Sequence, residues 1–190
     1  MPIAIISEQI CFVRLELSPE SDEILELLER HAKKYKNAGE HERSGAEMIK
    51  AAFQPDHAVA FISGVVHWGG GYRILPRILE RNTPDELAEA VKAAYAFLQD
   101  GQAATAVTRL QQLKGLGQSF ASKVARFLSP TTSVILDSVI RGQLGYPETQ
   151  GGYQEFLKDC QATLERLAPT NPELRICDVE AVIFAKIQGY

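Results

Sequence analysis

Apolar residues along this chain recur mostly at three- and four-residue spacing, the period of a helix with one buried face. Ser18-Pro19-Glu20 predicts a helix start, with a capping serine and a proline in the first turn, and Ile24, Leu25, Leu27 and Leu28 follow as its apolar stripe. Residues 57–66 read as a buried helix ended by Gly69-Gly70-Gly71. Thr83-Pro84-Asp85-Glu86 is a fuller start signal, because Glu86 stands three residues after the capping threonine. Its helix carries Leu87, Ala90, Val91, Ala94, Tyr95 and Leu98 on one face. Residues 154–167 and 179–187 complete the helical set. Only residues 10–17 alternate like a strand, and a lone strand has little to pair with. The pattern predicts an all-α fold in a single domain over residues 1–190.

A chain of 190 residues with 45% hydrophobic and 23% charged residues is ordinary for a globular protein. It has no run near the roughly 20 apolar residues of a membrane span. The apolar opening Met1-Pro2-Ile3-Ala4-Ile5-Ile6 lacks a basic leader and is broken by Glu8, so the expected location is cytoplasmic, with no membrane partner. Cys11, Cys160 and Cys177 are too few and too scattered for a disulfide framework or a thiolate metal site. His31, His41, His57 and His67 lack metal-ligand spacing, so no metal is expected.

The net charge of −4 argues against wholesale coating of nucleic acid, but its distribution is uneven. Between residues 101 and 146 stand Arg109, Lys114, Lys123, Arg126 and Arg141 against the single acid Asp137. A basic segment on an acidic chain is the pattern of a confined phosphate-binding face, or of chance clustering.

That segment contains the most informative motif. A helical pattern (Ala106, Leu110, Leu113) runs into Gly115-Leu116-Gly117, and a second begins at once with Phe120, Ala121, Val124 and Leu128, a helix–hairpin–helix over about residues 106–128. The two glycines are expected to turn the backbone with positive φ while Leu116 plugs the core. The turn would leave the first amides of the second helix open for a phosphate oxygen. A plain helix–helix turn has the same composition. Downstream, within residues 133–146, the apolar run Val134-Ile135-Leu136 leads to Asp137 at the start of a further helix, with Arg141 four residues on.

On these residues the chain resembles the helix-hairpin-helix DNA glycosylase superfamily, nearest to an 8-oxoguanine DNA glycosylase-like bacterial branch. The resemblance is close over residues 112–146 and extends elsewhere as an all-helical outline. It implies two helical lobes with the site in a cleft between them. It also implies excision of a damaged purine such as 8-oxoguanine from double-stranded DNA by a monomer associated with the nucleoid. Gly115 and Gly117 are then phosphate-binding, with Lys114, Ser119 and Arg141 as further DNA contacts, and Asp137 is catalytic. The family's nucleophilic lysine usually lies two residues past the last hairpin glycine, where this chain has Ser119. Lys123 lies one helical turn further along the same face. Buried against Phe120 and Phe127, its amine would lose solvation and become a usable nucleophile for AP lyase chemistry. Lys123 alternatively only touches phosphate, and Asp137 alternatively only caps its helix. A hydrolytic glycosylase and a non-catalytic DNA-binding module are the rival functions. No iron–sulfur cluster is expected, because its four-cysteine loop is missing; a monovalent cation at the hairpin is the one cofactor allowed.

Three further residues are candidates for the base pocket. Trp68 sits beside three glycines that would let the backbone approach a flipped base, although a tryptophan closing a core helix is commoner. Phe120 follows the hairpin. Asp178 opens the C-terminal helix together with Glu180, where acids ordinarily complement the helix dipole.

Overall fold

The structure is a computed structural model that describes residues 23–189. The strand-like stretch at residues 10–17, the Ser18-Pro19-Glu20 start signal and Cys11 lie outside the described residues. The described residues form ten helices: α1 (Glu23–Lys34), α2 (Ala38–Lys50), α3 (Pro55–Trp68), α4 (Leu75–Arg81), α5 (Pro84–Gln99), α6 (Ala103–Leu110), α7 (Gln118–Leu128), α8 (Ser138–Leu144), α9 (Gln150–Leu167) and α10 (Ile176–Gln188). The all-α expectation holds over this span.

Helix boundaries follow local chemistry. At the start of α5, Glu86 N–H donates to Thr83 Oγ1 at 3.2 Å and Thr83 N–H donates to a Glu86 carboxylate oxygen at 2.7 Å, the reciprocal box expected from Thr83-Pro84-Asp85-Glu86. Helix α3 opens on Pro55 and ends at Gly69, as the glycine run predicts. In α1 the apolar stripe is narrower than its sequence reads. Ile24 and Leu27 are buried and Leu28 packs at the edge of the core, but Leu25 is exposed, because each residue turns about 100° around the axis.

The core is built by α3, α5, α6 and α7, with α1 packing on α10 and α9 on both α6 and α10. Phe61, Ile62, Val65 and Val66 of α3 meet Leu87, Val91 and Leu98 of α5 within one continuous apolar cluster. Helix α7 is the exception to one-sided burial. Every residue from Ala121 to Leu128 is buried, including Lys123 and Arg126. A central helix normally carries no charge on a buried face, since an ion there needs a partner and hydrogen bonds to offset lost solvation.

Among the described residues no helix is long and apolar enough to cross a membrane.

Candidate active site

The hairpin links α6 to α7. Helix α6 stops at Leu110, and Leu113 N–H and Leu116 N–H then close tight turns onto the carbonyls of Leu110 and Leu113, both at 3.1 Å. Leu116 is buried as the plug the sequence predicts. The expectation of two left-handed glycines is corrected. Gly115 has φ of 95°, whereas Gly117 has φ of −76° and ψ of 171°, extended backbone open to any residue. Gly117 is instead the N-cap of α7, and because it carries no side chain, no side chain caps the first turn, where Phe120 N–H turns back to the Gly117 carbonyl at 3.1 Å. Gly115→Val should therefore cost about 1–2 kcal/mol in urea denaturation, from forcing a side chain into positive φ. Gly117→Ala should cost less than that, since φ there is ordinary and an added Cβ meets nothing, leaving only the poorer capping of alanine.

Asn82, a buried residue that sequence reading passed over, fixes the hairpin from the end of α4. Its Nδ2 donates to the Lys114 carbonyl at 3.0 Å, and Lys114 N–H donates back to Oδ1 at 2.9 Å. The Lys114 side chain remains exposed on the hairpin surface.

Lys123 stands one and a half turns into α7, with its side chain 8% exposed. Its Nζ lies 3.5 Å from Asp137 Oδ2, 3.3 Å from Ser119 Oγ and 3.4 Å from the Ser119 carbonyl. Ser119, one helical turn before Lys123, thus presents both its hydroxyl and its carbonyl to the ammonium. Burial lowers the Lys123 ammonium below the ordinary lysine range, while the charges of Asp137 and Glu180 pull it back upward. Phe120 lies under this ammonium, its ring centroid 5.3 Å from Nζ. The Phe127 ring lies under Arg126 and meets Trp68 edge-on.

The glycines after α3 are explained by the same lysine. A Cβ on Gly69 would sit 2.8 Å from Lys123 Cδ and 2.9 Å from the Phe120 ring, and one on Gly71 would sit 2.8 Å from that ring. These residues admit close packing of Lys123 and Phe120.

Asp137 uses its two oxygens differently. Oδ1 accepts from Val139 N–H at 3.0 Å and Ile140 N–H at 3.1 Å, capping α8, and Oδ2 faces Lys123. The extended run before it is held from two sides. Ser122 Oγ accepts from Leu136 N–H at 3.1 Å, and the Tyr153 hydroxyl both accepts from Val134 N–H and donates to the Val134 carbonyl. Both side chains are fully buried. Ser122→Ala would leave the Leu136 amide without an acceptor and should cost about 1–3 kcal/mol in chemical denaturation.

The remaining candidates are placed apart from the hairpin. Arg141 is paired with Glu148 and turned largely inward. Asp178 caps α10 and is bound three ways by Arg175, whose Nη1 also reaches Glu42 at 2.9 Å. Burial alone would raise the Asp178 carboxyl, but the Arg175 hydrogen bonds hold it below the usual range.

Two cavities share a wall beside the lysine. A small one of about 80 Å³ is lined by Lys123, Asp137, Gly69 and Phe184, and a large one of about 720 Å³ lies alongside. They share the walls His31, Tyr35, Trp68 and Ile135. The larger volume falls within the range of sites that enclose a small molecule. Trp68 is half-buried on this shared wall, and His31 stacks on Tyr35 with centroids 4.9 Å apart. Burial, then the charge of Arg126, depresses the His31 imidazole to about 4, so this wall is uncharged at neutral pH. Asp178, Arg126 and Glu180 line the large cavity only. Neither His31 nor Tyr35 was legible as a site residue, because they lie 84 and 80 positions before Gly115 in sequence.

Among the described residues no cluster of His, Cys, Asp and Glu is arranged to hold a metal ion. Over residues 28–184 the chain matches the family model described as "Putative 8-oxoguanine DNA glycosylase OGG-like protein". The chain belongs to this OGG-like glycosylase family. No curated protein and no solved structure matches it. Membership agrees with the resemblance read from the hairpin and from Asp137, and it makes DNA the substrate class.

Proposed function

We propose that the protein excises an oxidised purine, 8-oxoguanine foremost, from double-stranded DNA and cleaves the resulting site by lysine-dependent AP lyase chemistry. The observation that carries this reading is the buried Lys123–Asp137 pair in a small cavity whose His31, Tyr35 and Trp68 wall also bounds a large one. A binding module needs the hairpin but gains nothing from burying an ammonium and a carboxylate together.

In this reading the uncapped amides at Gly117 and the exposed Lys114 hold the DNA backbone, and the duplex is read as a phosphate surface. Arg141 joins them only by leaving Glu148. The flipped base enters the large cavity against Trp68, His31 and Tyr35, which brings the sugar C1′ to Lys123 and Asp137. Asp137, fixed by its capping bonds, stabilises positive charge developing on the sugar as the C1′–N bond breaks. Lys123, as the free amine, attacks C1′ with its electron pair; the base departs with the bonding pair and takes up a proton. Loss of a proton from nitrogen and ring opening give the imine, and removal of a C2′ proton then expels the 3′ phosphate. The three contacts on Lys123 Nζ are all longer than the about 2.8 Å of a tight charged pair, so the amine is held without being locked. A monovalent cation at the hairpin would have to share carbonyls already in use, since the Leu113 and Lys114 oxygens accept from Leu116 N–H and Asn82 Nδ2.

The test is a screen of the purified protein, acting as a monomer, against duplexes that each carry one lesion. The expected result is release of 8-oxoguanine well above release of alkylated or deaminated bases. Preference for another lesion would move the substrate assignment, and binding without release of any base would support the module.

A further inference from the structure

The excision reaction leaves one basic surface without a task. Arg73, Arg77 and Arg81 recur at four-residue spacing through the turn before α4 and along α4 itself. Leu75 N–H bonds back to the Gly71 carbonyl at 3.1 Å and Ile78 N–H to the Ile74 carbonyl at 3.0 Å, so the backbone already winds as a helix where Arg73 stands. Four residues make about 400° of rotation, so the three arginines drift by only about 40° per step and share one face. The opposite face is spent on packing: Leu75 and Ile78 enter the core, and Asn82 holds the hairpin. All three arginines are exposed. Among the described residues none of them forms an ion pair, whereas Arg30, Arg141 and Arg175 each hold an acid. Glu80 is the single acid over residues 73–81, so the stretch carries three positive charges against one negative.

This stripe runs between two parts of the candidate site. At one end a Cβ on Gly71 would meet the Phe120 ring that lies under Lys123. The next residue, Tyr72, is 67% exposed, with its ring tilted against His67 at 5.1 Å. At the other end Asn82 exchanges two hydrogen bonds with the Lys114 backbone. Between them Ile78 lies against the hairpin, its Cγ1 3.4 Å from where a Cβ on Gly115 would stand. Helix α4 is therefore fixed to the hairpin by packing and by hydrogen bonds, and its charges stand at a set place beside Lys114 and Gly117.

We infer that Arg73, Arg77 and Arg81 form a second phosphate-binding surface, which lies alongside the hairpin and holds the DNA backbone next to the flipped base. The inference rests on the reading of the hairpin as the first DNA contact and is independent of the role of Lys123. A chain of net charge −4 repels DNA as a whole, so its attraction has to be local. The hairpin itself offers Lys114 and the first amides of α7, because Arg141 is held by Glu148 and Arg109 by Gln112. That is a narrow hold for an enzyme that has to unstack a base from a duplex. Three exposed guanidinium groups on one rigid face widen it, since each phosphate they meet releases a counterion. Tyr72, at the cleft end of the stripe, adds an aromatic face with a polar tip to the same surface.

The direct experiment measures affinity of the intact protein for a plain duplex and an 8-oxoguanine duplex of the same sequence, by fluorescence anisotropy over about 50 to 200 mM salt. The triple variant Arg73→Gln, Arg77→Gln, Arg81→Gln should bind both duplexes about 10- to 100-fold more weakly at the low-salt end, with the slope of log K against log salt reduced by about 2 to 3. Replacing the same three residues by lysine should restore affinity to within about threefold, because a phosphate contact of this kind asks for charge more than for the guanidinium fork. A control triple, Lys33→Gln, Lys158→Gln and Arg166→Gln, removes the same charge from α1 and α9 and should leave the slope unchanged. Single-turnover base release at saturating protein should stay within about twofold of the wild type in the stripe variants, since backbone contacts position the duplex and do not touch the reacting atoms.

An unchanged affinity and slope in the glutamine triple, with native circular dichroism, would overturn the inference. So would an equal loss in the control triple, which would make the effect one of overall charge, or a loss that lysine does not restore. Should the triple not fold, the single variants decide, each lowering the slope by about 1 if the inference holds. A wild-type dimer in sedimentation that the glutamine triple abolishes, with DNA binding intact, would assign the face to a second copy of the chain instead. Lys114→Gln weakening DNA binding while the arginine variants do not would overturn this inference alone, whereas a wild type that binds no duplex would remove the hairpin reading with it.

Discussion

Lys123→Arg is expected to bind lesion-bearing duplex within about twofold of the wild type and to form no borohydride-trapped complex. Arginine keeps a positive charge for phosphate and for Asp137, but its guanidinium neither loses a proton near neutrality nor forms an imine. The loss should therefore be complete in trapping and small in affinity. The site tolerates little extra bulk, since Gly69 and the Phe120 ring already close on the lysine stem. Lys123→Gln, which is shorter, serves as the companion variant, with folding checked by circular dichroism. Affinity measured by fluorescence anisotropy against trapping measured on gels separates the two roles. Trapping that persists in both variants would place the nucleophile on another amine, with Lys114 the nearest on the hairpin.

Asp137→Asn is expected to lower base excision about 10²- to 10³-fold, the scale of losing one preorganised charge at the reacting centre. The cap should survive, because asparagine offers one oxygen in place of Oδ1 to the Val139 and Ile140 amides. The carboxylate charge facing Lys123 is lost at the same time. A buried ammonium without a counter-charge gives up its proton more easily, so the amine is more available in the variant. Excision of an intact lesion should therefore fall far more than trapping on a preformed abasic duplex. Equal losses in the two assays would mean that Asp137 acts mainly by placing Lys123. Retained excision with intact folding would reduce it to a cap.

The parts of this site that lie close together in sequence were legible, and the parts assembled across the fold were not. Gly115-Leu116-Gly117, Lys123 and Asp137 stand within 23 positions of one another, and spacing alone placed them on a turn, one face of a helix and a helix start. The capping box at Thr83 was likewise a local signal. Gly117 was misread because glycine suits both a left-handed turn and an uncapped helix start, and composition does not distinguish them. Asn82, Ser122 and Tyr153 escaped notice for a different reason. Each fixes the site through a bond to a residue 14 to 32 positions away, and nothing in their own neighbourhoods marks them. On α10 the sequence offered Asp178, not Glu180, as the candidate acid. Local capping by Arg175 took Asp178, and the turn of the helix put Glu180 in the core. The walls His31, Tyr35 and Trp68 come from α1, the residue just after it and α3, brought together only when α1 packs on α10 and α3 on α7.

The central claim is that the Lys123 amine is the group that attacks the sugar. It is tested most directly by incubating the wild-type protein with an 8-oxoguanine duplex in the presence of borohydride, digesting the adduct and locating the modified peptide by mass spectrometry. The expected result is a single sugar adduct on the peptide containing Lys123, in an amount that follows base release. Base release with no adduct on any lysine, or an adduct on Lys114 with Lys123 unmodified, would contradict it.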